Sequence, residues 1–162
     1  NVCIATPLTA CCIRMGNLMN SEIIGRQTDV PWAFLFHTNE SMVDGAIVPR
    51  HPAQLYEELA YFIIFIVLLI VYWRLVHYKI RSGAGTGLYF GLCLMLIFTF
   101  RFFVEFIKKE QVDFEKGMAL DMGQLLSIPF IIAGCYFAVR GILLSKKYLN
   151  DHESYLIDYA NQ

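Results

Sequence analysis

Between positions 14 and 26 the chain reads R-M-G-N-L-M-N-S-E-I-I-G-R, which sets Arg14, Asn17, Asn20, Glu22, Gly25 and Arg26 beside a hydrophobic run. Two more polar sets occur further along: His51, Gln54 and Glu57 within R-H-P-A-Q-L-Y-E (50 to 57), and Arg101 with Glu105 within F-R-F-F-V-E-F (100 to 106). Guanidinium is planar and permanently charged, and it offers two parallel donors that match phosphate oxygens. Carboxylates and amides from other segments can orient it. Gln54 and Glu57 are spaced to share one helix face, with His51 a turn before them, and Arg101 and Glu105 are spaced likewise. Arginines brought together from separate elements would make a pocket for the phosphate of a lipid headgroup.

The elements that must position these groups are membrane helices. The chain has 162 residues, 57% of them hydrophobic and 17% charged, and a mean hydropathy of +0.50, too apolar for an ordinary soluble domain of this size. No Asp, Glu, Lys or Arg interrupts 59 to 73, 82 to 100, 122 to 139 or the opening 1 to 13. The first three reach the roughly 20 apolar residues that a bilayer needs once flanking Leu, Tyr and Phe are included. The opening run falls short of that length, ending at Arg14, and Gly16 and Gly25 are expected to break the helix beyond it. Pro52 is expected to open the second helix, which runs to about His77. The third spans about Leu88 to Phe106, and the last about Met122 to Leu144 with Gly123, Pro129 and Gly134 inside it.

Residues 27 to 50, with Pro31, Trp32, Phe34, Phe36, Gly45 and Pro49, read as a non-spanning loop at headgroup level. The predicted fold is an all-α polytopic transmembrane helix bundle: three full spans, a short or truncated N-terminal helix and an interfacial loop segment. Residues 1–162 are expected to form one integral membrane domain, the C-terminal portion of a larger protein since the chain opens on Asn1 without a charged leader, with 145–162 a polar peripheral tail. The basic, acid-free loop containing Arg74, Lys79 and Arg81 belongs in the cytoplasm by the positive-inside rule. That places the 14 to 52 segment and the Glu105 end of the third helix together on the outer side.

Composition also excludes classes. A net charge of −1 leaves no basic surface for nucleic acid. Cys3, Cys11, Cys12, Cys93 and Cys135 lie in or beside apolar runs without metal-ligand spacing, so they read as small packing residues and no metal site is expected. Plainer roles exist for several polar residues too. Arg26 and Arg50 fit interfacial snorkelling, Arg101 and Glu105 a buried ion pair, His37 and His77 ordinary loop and interface residues, and Tyr56, Tyr61, Tyr72 and Tyr89 an aromatic belt or packing.

The 14 to 26 stretch resembles the signature of the prolipoprotein diacylglyceryl transferases, G-R-x-G-N-F-x-N-G-E-x-x-G-R. The similarity continues through residues 50 to 57, 100 to 106 and 122 to 129 (M-G-Q-L-L-S-I-P), in the same order. The resemblance implies a bacterial inner-membrane enzyme, its active face toward the periplasm or exterior. Such an enzyme moves the diacylglyceryl group of phosphatidylglycerol onto the lipobox cysteine of a prolipoprotein signal peptide and releases glycerol 1-phosphate. No cofactor is implied, and the partners would be phosphatidylglycerol, the prolipoprotein and membrane lipids. By matching position, Arg14, Arg101 and His51 are the expected catalytic groups. Asn17, Asn20, Glu22, Gly25, Arg26, Gln54, Glu57 and Glu105 are the expected substrate-binding shell. Ile13, Leu18 and Ser21 depart from the signature, Ile97 stands where a tyrosine is expected, and the family's His-Gly-Gly block is absent from this chain. A catalytically inactive lipid- or partner-binding relative is the alternative.

Overall fold

Four apolar runs fold as helices in the computed structural model, which describes residues 2–38, 42–43, 45–77, 86–108 and 121–160; for 76–77, 148–149 and 151–160 the backbone alone is described. They are α1 (Val2–Met19), α2 (Ala53–His77), α3 (Leu88–Glu105) and α4 (Met122–Ala160). Among the described residues all four are long and apolar enough to cross a bilayer, α2 as far as Leu75 and α4 as far as Lys147. The chain is a multi-pass helical membrane protein. The connecting residues expected to carry Lys79 and Arg81, the charged loop from Lys109 to Lys116, and Glu40 and Asp44 lie outside the described residues.

The N-terminal helix differs from expectation. It passes through Arg14 and Gly16 to Met19, and its 18 residues rise about 27 Å, enough to cross. Gly16 has open space around it and costs the helix little in an apolar setting. The break comes at Ser21 and Ile23, both in the left-handed region with φ of 56° and 55°. At the other end α4 continues helically through the segment expected as a polar tail. Its start carries one half of a capping box: Gln124 Oε1 reaches back to accept from the Asp121 N–H at 3.1 Å, just ahead of the first turn.

Between α1 and α2 the loop is not featureless. β1 (Phe34–Leu35) pairs antiparallel with β4 (Pro49–Arg50), and β2 (Met42–Val43) with β3 (Ala46–Ile47). These short ladders pair backbone groups within the loop.

The core joins Ile4 of α1, Tyr61, Ile64 and Leu68 of α2, and Tyr89 and Cys93 of α3. Helices α3 and α4 form the closest pair, with Phe98 stacked on Phe130 at 4.4 Å. Two glycines permit that approach. A Cβ on Gly91 would sit 2.7 Å from the Phe137 carbonyl carbon, and one on Gly134 would sit 2.9 Å from Met95 Cα. Backbone atoms cannot rotate aside, so Gly91→Val is expected to lower unfolding stability by about 1–3 kcal/mol or more. Leu143→Ala, on the exposed face of α4, should change it little. Thermal unfolding of the detergent-solubilised protein measures both.

Candidate functional site

The Gly25–Thr28 segment is the element that assembles the site. On one side Gly25 N–H donates to the His51 carbonyl at 3.1 Å, His51 N–H to the Arg26 carbonyl at 3.0 Å and Thr28 N–H to the Pro49 carbonyl at 3.1 Å. On the other, Arg26 N–H donates to the Ile107 carbonyl at 2.8 Å, Arg26 Nε donates to the Lys108 carbonyl at 2.9 Å, and Gly25 bridges Lys108. Three sequence-distant blocks are thereby tied at one end of the bundle. Glycine is required at 25 because a Cβ there would lie 2.7 Å from His51 Cβ and closer still to the His51 carbonyl oxygen.

At the same end a chain of alternating charges crosses the helices. Arg14 Nε of α1 is 2.9 Å from Glu57 Oε2 of α2; Lys108 Nζ is 3.0 Å from Glu57 Oε1 and 3.3 Å from Glu105 Oε2. Glu57 is wholly buried, Lys108 is 5% exposed and Arg14 13%. The Arg14 contact lacks hydrogen-bond alignment, so it is a coulombic pair, whereas Lys108 donates a proper hydrogen bond to Glu57. Glu105 in turn rests against Gly123 of α4, where any side chain would collide with the carboxylate. Gln124 Nε2 reaches the Phe102 carbonyl at 3.4 Å, fixing α4 to this end of α3.

Arg101 does not pair with Glu105. Among the described residues it makes no hydrogen bond or ion pair, although it is only half-buried on α3 and lies within electrostatic range of the Tyr61 hydroxyl together with Arg14 and Glu57. Glu105 prefers Lys108, which is three residues away on the same helical face and just beyond the last turn.

The other sequence-expected residues divide by exposure. Gln54, fully buried, donates through Nε2 to the Glu22 carbonyl, and Glu22 N–H donates to the Asn17 carbonyl at 2.9 Å. Gln54 and Glu57 therefore hold backbone and arginine in place and present no surface to a ligand. Asn20, Glu22 and Arg26 are exposed and Asn17 is half-buried; of these four, Arg26 touches the Arg14–Glu57–Lys108–Glu105 chain through its Nε bond to the Lys108 carbonyl. Arg50 is not a snorkelling residue: it is 4% exposed and donates through Nη1 to the Gly25 carbonyl at 3.3 Å.

Sequence reasoning misses Lys108 and the Tyr56 hydroxyl. Lys108 opens a charged stretch and reads as part of it, yet its spacing of three from Glu105 and seven from Arg101 is the available signal. Tyr56 Oη accepts from Trp32 Nε1 at 2.8 Å and lies 3.2 Å from His51 Nδ1, which makes it part of the polar site rather than a belt aromatic. No spacing rule links residues 32, 51 and 56.

Comparison with known proteins bears on this architecture as a whole. A phosphatidylglycerol–prolipoprotein diacylglyceryl transferase of Bacteroides fragilis is 57% identical over 136 residues, covering 84% of this chain and 45% of the relative. Relatives of the same name from Tolumonas auensis (44% over 131 residues; 81% of this chain, 46% of the relative) and Chloroherpeton thalassium (45% over 130 residues; 80% and 44%) are also similar. The chain thus spans about half the length of the curated relatives it matches. No solved structure matches it. The family model for prolipoprotein diacylglyceryl transferase matches residues 1–140, a range that contains every helix-borne polar group described above, and the chain belongs to that family.

Proposed function

We propose that the polypeptide carrying this chain transfers the diacylglyceryl group of phosphatidylglycerol to the lipobox cysteine of a prolipoprotein, the opening step of bacterial lipoprotein maturation. The observation that carries this reading is Arg101. A guanidinium on a membrane helix is costly without a hydrogen-bond or ion-pair partner, and among the described residues this one makes neither, while Arg14, which shares with it an electrostatic interaction with Tyr61, is held by Glu57. Two cations so arranged suit a lipid phosphate.

The chemistry follows from that placement. The cysteine thiolate attacks the glycerol carbon that bears the phosphate ester, a C–S bond forms as the C–O bond breaks, and the electron pair leaves with the phosphate oxygen as glycerol 1-phosphate. Negative charge grows on that oxygen, and Arg14 and Arg101 stabilise it. The thiol proton must pass to a base, since the thiolate is the nucleophile. His51, pinned by Gly25 and Arg26, stands at this end of the bundle as a further catalytic group. Asn17, Asn20, Glu22, Gly25 and Arg26 form the lipid-facing rim, with Gln54, Glu57 and Glu105 supporting it.

The membrane is the bacterial inner membrane, with this polar end toward the periplasm or exterior. Support for that orientation comes from Arg74 near the end of α2 and Arg140, Lys146 and Lys147 toward the end of α4, all on the opposite side of the apolar layer. The test uses full-length protein in vesicles with phosphatidylglycerol and a lipobox peptide. Peptide mass should rise by one diacylglyceryl group with matching release of glycerol phosphate. Lipid binding without that release would sink the enzyme reading in favour of a non-catalytic lipid-binding relative.

A further inference from the structure

Tyr56 lies on the first turn of α2, and its hydroxyl sits between two ring nitrogens, Trp32 Nε1 at 2.8 Å and His51 Nδ1 at 3.2 Å. An indole N–H can only donate, so the phenol oxygen accepts from Trp32. The phenol's single proton then needs an acceptor. Among the described residues His51 Nδ1 is the one in reach, because the ring otherwise faces a groove of about 380 Å³ walled by apolar groups such as Leu59, Ile63, Phe103 and Ile107. The opposite assignment, with Nδ1–H donating to the phenol, would leave the O–H without a protein acceptor among the described residues. A neutral imidazole that accepts at one nitrogen carries its proton on the other.

We infer that Trp32 and Tyr56 are positioning residues that hold His51 in its Nε2–H tautomer, so that His51 serves as a hydrogen-bond donor to an anionic headgroup oxygen and not as the base for the thiol. The identity of that acceptor rests on the phosphatidylglycerol reading; the tautomer does not. The backbone supports the arrangement, since His51 is bonded through its N–H to the Arg26 carbonyl and through its carbonyl to the Gly25 N–H, which restrains the backbone that carries the ring. A base acting through Nε2 would need the other tautomer, and one acting through Nδ1 would have to displace Tyr56.

The experiment has a spectroscopic arm and a kinetic arm, both on the full-length protein in phosphatidylglycerol nanodiscs. With nitrogen-15-labelled histidine, and with His51→Ala to assign the signal, wild type should show the Nε2–H tautomer and Tyr56→Phe a mixture. Trp32→Phe, at an exposed position, should also shift the balance and keeps the measurement available should Tyr56→Phe fold poorly. An Nδ1–H signal in wild type, or a tautomer that neither substitution moves, overturns the inference. In the kinetic arm His51→Gln, whose amide can donate near the Nε2 position, should stay within about 10-fold of wild type while His51→Ala falls about 100-fold. Equal losses in the two would make His51 the base and overturn the donor role. Absence of any transfer by wild type would count against the phosphatidylglycerol reading alone, because the tautomer is read without turnover.

Discussion

Arg101→Ala is expected to lower diacylglyceryl transfer by about 100-fold or more while leaving thermal stability close to wild type. The separation of the two effects is the point. Among the described residues Arg101 makes no hydrogen bond or ion pair, so its removal breaks none of these, whereas in the proposed reaction the lipid phosphate would lose one of two cations. Arg14→Ala should differ in kind. It would lower transfer similarly but also destabilise the protein, because Glu57 is wholly buried and would keep only Lys108. Transfer rates in phosphatidylglycerol vesicles and melting curves in detergent, measured on both variants, decide the matter. A wild-type rate for Arg101→Ala would remove the phosphate role from the site.

Glu57→Gln is expected to be the most destabilising single change at this end of the bundle, costing about 3–5 kcal/mol. Glu57 touches the guanidinium of Arg14 and the ammonium of Lys108, and its loss leaves both cations poorly compensated next to an apolar layer. Lys108 retains Glu105, but at the longer distance of 3.3 Å. A total folding free energy of about 5–15 kcal/mol leaves little margin for such a change. The double variant Glu57→Gln with Lys108→Met should regain part of the loss, since one stranded cation is gone. Denaturant titrations of the two singles and the double form a cycle that isolates the Glu57–Lys108 coupling. Additive losses would show that the two residues do not act as a pair.

Much of the fold is legible in the residues. The uncharged runs mark α2, α3 and the membrane part of α4, because a helix in lipid must be continuously apolar over a fixed length. That same reasoning undercounts α1, since it treats Arg14 as an end. A guanidinium that meets a buried carboxylate from a neighbouring helix can sit inside a helix, and only the neighbour shows that. The 27 to 50 loop is recognisable as non-spanning, but its β pairs depend on contacts between residues 34 and 50 that no local pattern encodes.

By itself the sequence determined the membrane class, the positions of α2, α3 and the membrane part of α4, the family resemblance and most of the polar residues of the candidate site. The membrane class and helix positions follow from composition and local spacing, and the resemblance from four motif blocks in the same order. The partnerships were decided only by tertiary structure: Lys108 rather than Arg101 on Glu105, Glu57 buried as the hub between Arg14 and Lys108, and Tyr56 between Trp32 and His51. The physical reason is that charge pairing and hydrogen bonding act over about 3 Å between groups tens of residues apart in the chain. Which groups meet at that range is set by how the helices pack and by the backbone ladder that Gly25 permits.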